Sequence, residues 1–250
     1  MLPLHDESEL TGKVLKYFPE SSTVQNTMIF NYICVIVSIA IDRFQPHQVA
    51  MLREAMIFSA RKHAGVMRTG EKAPYIVHLL RTCIILLNLD VRILPLLVAL
   101  VLHDVYEDTD AKLKELQKMF GVKITQIIFL LSKNVPITPE MRALFGELAG
   151  DWLELPFFER LLAIPDLTLR IWCIVLKVVD RIDNLKTLKG MGHGRISRKI
   201  KETEEKIPPL LKHLEEVVEK SNPLHEVVEN LGREYASALT LAKKTLAQEA

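Results

Sequence analysis

The chain has 250 residues, 49% of them hydrophobic and 25% charged, with a formal net charge of +1. That length can bury a sizeable core as one domain or one domain with appendages, and so balanced a charge gives no basic field for a nucleic-acid partner. Cys34, Cys83 and Cys173 are isolated and odd in number within apolar runs, which reads as reduced core residues of a cytoplasmic protein and not as disulfides or a zinc site.

The first strongly apolar stretch is residues 28–41, flanked by Asn26 and Asp42. At about fourteen residues it falls short of the ~20 needed to span a bilayer. It also lies behind Asp6, Glu7 and Glu9, too far in for a simple signal peptide. A helix or strand packed on the body of the protein is expected, without stable membrane insertion; docking to a membrane or a partner is the alternative. Helices are expected over 46–62, 75–88, 91–107, 111–120 and 122–132, with Gly121 as a break. Residues 133–150, holding Pro136 and Pro139, read as a loop with a short helix near 140–148. A short helix between Pro156 and Pro165 and a long one over 167–188 follow. Charged amphipathic helices then occupy 195–220 and 223–248, the last an appendage or an oligomerisation element. No strand pattern stands out, so the fold class is all-α.

Three of these helices break from apolar to polar where a ligand could sit. The run 94–102 ends in His103-Asp104-Val105-Tyr106-Glu107-Asp108-Thr109-Asp110. Read as one continuing helix, it puts His103 on a face with Glu107 and Asp104 on a face with Asp108. Ionisable groups at the end of a greasy helix are costly unless neutralised, and a divalent cation would neutralise them. Upstream, the Gly70 turn and Pro74 lead to His78 in an apolar helix. Downstream, the run 171–179 closes on Asp180, with Asn184 and Thr187 at i+4 and i+7. His78, His103, Asp104 and Asp180 would form a mixed imidazole and carboxylate site open to Mn²⁺, Fe²⁺, Co²⁺ or Zn²⁺.

The order His, His-Asp, Asp resembles the HD-domain metal-dependent phosphohydrolases, and more closely the hydrolase domain of RelA/SpoT proteins, which degrades the alarmone (p)ppGpp. The resemblance rests on His63-Ala64-Gly65, Arg68-Thr69-Gly70, Pro74-Tyr75-Ile76-Val77-His78, the string from His103 to Thr109, Phe120-Gly121, and Asp180-Arg181-Ile182-Asp183-Asn184-Leu185-Lys186-Thr187-Leu188. It implies an all-α HD bundle with extra terminal helices, divided into an N-terminal extension 1–44, a hydrolase domain 45–220 and a C-terminal helix 221–250. It implies Mn²⁺ on His78, His103, Asp104 and Asp180, a water-handling pair Glu107 and Asp108, and nucleoside contacts from Arg68, Asn184 and Thr187. Lys72, Lys177, Arg181 and Lys186 are phosphate contacts or, more simply, surface charges, and His63 is a structural helix-end histidine outside the site.

Departures from the family pattern are Thr69 in place of a lysine, the lengthened Lys72-Ala73 turn, Leu79 in place of a proline, Asp183 in place of a histidine, and the expanded interval around 136–165. They bear on substrate preference more than on catalysis. The residues after Leu214 are too few for a synthetase domain, so the expectation is a stand-alone small alarmone hydrolase of the stringent response. It would release pyrophosphate from (p)ppGpp to give GDP or GTP, limiting alarmone levels or countering a toxic synthetase. An HD enzyme acting on ppApp, a deoxynucleotide or NADPH remains an alternative, as does a degenerate HD domain that binds nucleotides and signals.

Overall fold

The structure, a computed structural model, describes residues 5–133, 139, 144–145 and 155–249. Of the short helix expected near 140–148, the structure describes residues 144–145, which are helical, and the rest lies outside the described residues. Helices make up the described structure, and its only β pairing is an isolated bridge between Met67 and Pro74. The chain divides into two compact units, 1–68 with 72–146 and 69–71 with 147–250.

The first unit holds α1 (His5–Leu15), α2 (Thr23–Arg43), α3 (Pro46–Lys62), α4 (Ile76–Asn88), α5 (Leu94–Val101), α6 (Val105–Asp108) and α7 (Leu113–Leu131). The 28–41 stretch is helical, and its helix is longer than its apolar part. Ser22 caps it by accepting from the Gln25 N–H while the Gln25 side chain accepts from the Ser22 N–H, so Thr23–Thr27 join the first turns. At 21 residues, α2 is long and apolar enough by length and composition to cross a membrane. One face, with Ile29, Ile33, Ile36, Val37 and Ala40, is buried, and the helix packs on α1, α3 and α4. Its end is tied down by Arg43, which donates to the Leu87 carbonyl at 2.9 Å and pairs with Asp90 at 3.1 Å.

Pro46 opens α3, where its missing N–H costs nothing. Helix α5 is apolar on all sides, and Leu94 and Leu96–Val101 are all buried because α3, α4 and α7 surround it. Such a helix is a rigid mount for whatever follows its last residue. In α7 the break at Gly121 is a kink inside one assigned helix, with φ 83° and ψ 170°.

The second unit holds α8 (Phe157–Leu162), α9 (Leu167–Lys186), α10 (His193–Val217) and α11 (His225–Gln248). Asp166 caps α9 through the Leu169 N–H at 2.8 Å. Helix α11 buries Val227, Val228, Leu231, Tyr235, Ala238 and Ala242 and packs on α9 and α10. The short piece 69–71 belongs to this unit. Gly70, at φ 100°, sits so close to Met191 that a Cβ would come within 2.9 Å of its side chain.

Candidate metal centre

In the first unit the site begins where α4 and α5 meet. The segment leading into α4 is pinned by the Tyr75 N–H on the Val66 carbonyl, and the first turn continues with the His78 N–H on the Tyr75 carbonyl. His78 is then held among Ile76, Val77, Leu79 and Leu80, all buried. Helix α5 does not run through to Glu107 as the apolar pattern suggests. It ends at Val101, and a turn over 102–104 precedes the single helical turn α6. Two features accompany the break. The Leu102 N–H is shared between the Val98 and Ala99 carbonyls, and the His103 ring bonds the Leu100 carbonyl through Nδ1 at 2.7 Å. The ring thus occupies an acceptor that the next helical N–H would otherwise use.

This turn gathers His78, His103 and Asp104. Asp104 Oδ2 lies 3.1 Å from His103 Nε2 and 3.7 Å from His78 Nε2, and the two imidazole centroids are 5.4 Å apart. A carbonyl can only accept, so His103 Nδ1 carries the hydrogen, and in the neutral ring the Nε2 lone pair is directed at the carboxylate oxygen. Two acceptors at that distance need a proton or a cation to stabilise them. An imidazole locked through one nitrogen by a backbone carbonyl, with its other nitrogen turned to a carboxylate, is an arrangement a metal-binding histidine can adopt. These residues fit a divalent cation.

The acidic pair is split in its surroundings. The Lys133 N–H donates to Glu107 Oε2 at 3.0 Å, so Glu107 tethers the start of the following segment. Asp108 instead meets the Tyr75 hydroxyl at 3.2 Å. Although it remains open to solvent, partial burial raises its carboxyl above the usual range, and the Asp104 charge adds to this. Asp110, the last acid of the string, pairs with Lys62 at 3.0 Å.

Two residues escaped the sequence reading. Tyr75 donates to Asp104 Oδ2 at 2.6 Å; its position three before His78, on the same helical face, was an available signal. His63 caps α3, as a helix-end histidine should, yet its buried ring stacks on Tyr75 with centroids 4.4 Å apart and planes 19° from parallel. Burial lowers its pKa to about 4. No spacing in the sequence distinguishes it from any other core histidine.

In the second unit, α9 presents Asp180, Asn184 and Thr187. Lys177 donates to Asp180 Oδ2 at 2.7 Å and Asn184 to Asp180 Oδ1 at 2.6 Å. Thr187 turns back to the Asp183 carbonyl at 2.9 Å. Lys177 and Arg181 are buried, Arg181 pairing with Glu202 at 3.2 Å, so neither is a surface charge. Lys186 is exposed and pairs with Glu234 at 2.9 Å. Arg68, half-buried in the first unit, donates its N–H to the Ala73 carbonyl at 2.8 Å.

An all-α fold that brings His78 of α4 together with His103 and Asp104 beyond α5 offers a candidate centre for a divalent metal. The HD domain family model matches residues 55–207, and the chain belongs to that family, whose hydrolases depend on a divalent metal. It is 29% identical over 170 residues, 68% of this chain and 22% of the relative, to a guanosine-3′,5′-bis(diphosphate) 3′-pyrophosphohydrolase of Aquifex aeolicus. It is 26% identical over 211 residues, 84% of this chain and 25% of the relative, to a probable GTP pyrophosphokinase of Mycobacterium leprae. The chain thus spans about a quarter or less of the length of these relatives. A solved metazoan ortholog of SpoT that hydrolyzes ppGpp is similar at a TM-score of 0.44 and 20% identity, over 80% of this chain and 95% of that one.

Proposed function

We propose that this chain hydrolyses the 3′-pyrophosphate of (p)ppGpp in the cytoplasm, with Mn²⁺ as the working metal. The observation that carries the reading is His103 Nε2 and Asp104 Oδ2 facing each other at 3.1 Å beside His78, and the names of the relatives supply the substrate class. The hydrolase domain is taken as 45–220, which contains the family match, with 1–44 and 221–250 as helical additions.

His78, His103 and Asp104 would hold the cation, and Asp180 is proposed as the fourth ligand on the resemblance of its sequence block. When bound, such a cation makes water more acidic and polarises a phosphoryl oxygen. Asp108, with a raised proton affinity, is suited to take a proton from the attacking water, and Glu107 to orient it. Arg68 would lie against the base, its planar guanidinium suited to stacking, with Asn184 and Thr187 near the ribose. The reaction is ppGpp plus water giving GDP plus pyrophosphate.

The test is hydrolysis of ppGpp by the purified chain with and without Mn²⁺, with chromatography of the products and ppApp run in parallel because Thr69 departs from the family. GDP and pyrophosphate are expected in equal amounts, only with metal. Hydrolysis of GTP or of 5′-monophosphates while ppGpp survives would replace this reading with a general HD nucleotidase.

A further inference from the structure

We propose that Tyr75 is a positioning residue, whose hydroxyl restrains Asp104 and Asp108 as a pair and is itself held by the His63 ring stacked on its face. The inference rests on the function proposed above and assigns a part in it to two residues outside the ligand and water-handling sets. Tyr75 Oη lies 2.6 Å from Asp104 Oδ2 and 3.2 Å from Asp108 Oδ2. The two carboxylates sit one helical turn apart, where like charges repel, and the phenol stands between them.

A phenol has one hydrogen, so it goes mainly to the shorter contact with Asp104 and is shared more weakly with Asp108. Asp104 Oδ2 therefore receives a donor from Tyr75 while it faces the two imidazole nitrogens. A carboxylate with one oxygen so anchored has lost its freedom to rotate, and a ligand pre-set in orientation binds a cation without that entropic loss. Asp108 is kept against the same oxygen, which limits where its free carboxylate oxygen can point.

The phenol can do this only if its ring is held. Its backbone N–H is on the Val66 carbonyl at 2.9 Å. One face of the ring carries His63, and its edge meets His78 in a T-shaped contact at 5.9 Å. The stack needs a flat ring at position 63, not a proton on it, so the surface of the imidazole matters here and its titration does not.

The test uses the full chain with Tyr75→Phe, which removes one oxygen and keeps the ring and the stack. Mn²⁺ affinity is measured by titration calorimetry, and kcat and KM for ppGpp are measured beside it. The variant should bind Mn²⁺ more weakly and turn over more slowly, each by about 10–100-fold as for outer-shell partners of metal ligands. KM and the thermal midpoint of the metal-free chain should hardly move, which a merely structural role would not produce. His63→Phe should keep the wild-type Mn²⁺ affinity, and His63→Ala should weaken it in the same direction as Tyr75→Phe. If Tyr75→Phe matches an active wild type in both affinity and kcat, the positioning role is overturned while the hydrolase reading stands. A wild-type chain that binds no Mn²⁺ overturns both.

Discussion

Asp104 is the residue on which the site's electrostatics converge, since one of its oxygens meets Tyr75, His103 and His78. Removing a partner from such a cluster leaves the others uncompensated, which costs more than the contact itself. His103→Ala or Asp104→Ala should therefore abolish binding of the single divalent metal expected per chain, read by metal analysis after dialysis. Full occupancy in both would remove these residues from the ligand set. The two acids of α6 separate differently. Glu107→Gln keeps an oxygen for the Lys133 N–H, and Asp108→Asn keeps one for Tyr75, so both variants should fold and retain metal. Each should lose turnover, with Asp108→Asn losing ~10²–10⁴-fold, the range for removing a general base. Near-normal rates in both would mean that α6 is only a charged helix end.

At the scale of elements, most helices were legible because an apolar stripe of helical period is a statement about burial, and burial is what the packed structure repeats. The expected span 46–62 coincides with α3, and 167–188 overshoots α9 by two residues. The failure at 91–107 is instructive. Its pattern is apolar up to the polar string, yet the helix stops at Val101 and α6 is separate. The break goes with a side chain-to-backbone bond from His103, which periodicity does not record. His63 and Tyr75 were hidden for a related reason, because ring stacking joins residues twelve apart on different elements. Gly121 was read correctly as a break from residue type alone. Its φ of 83° with ψ near 170° is a region that only glycine occupies readily. A Cβ there would meet nothing within 4 Å, so Gly121→Ala should destabilise through backbone strain alone, by about 1–3 kcal/mol. Urea denaturation checks this, and an unchanged midpoint would mean the kink straightens without cost.

For the whole molecule, the buried His63 couples stability to pH. Burial is the main reason its pKa falls from 6.5 to about 4, and the nearby His103 and His78 add to the fall while Asp104 opposes it. Below pH 6.5 the unfolded chain takes up a proton at this position that the folded chain refuses until about pH 4. Stability from this residue is therefore fully present above 6.5 and is lost as pH falls through that window. The shift corresponds to about 3 kcal/mol, a large share of the 5–15 kcal/mol that holds a typical domain together. Asp108 acts with the opposite sign, since its raised carboxyl keeps a proton in the folded state at pH values where the unfolded chain has released it. Its contribution grows as pH falls and offsets part of the His63 loss. His63→Phe keeps a flat ring against Tyr75 and removes the titration. In chelator, urea unfolding from pH 7 to 4.5 should show a steep loss of stability in the wild type and a shallower one in His63→Phe. Parallel curves for the two proteins would show that His63 takes up its proton at the same pH in the folded and the unfolded chain.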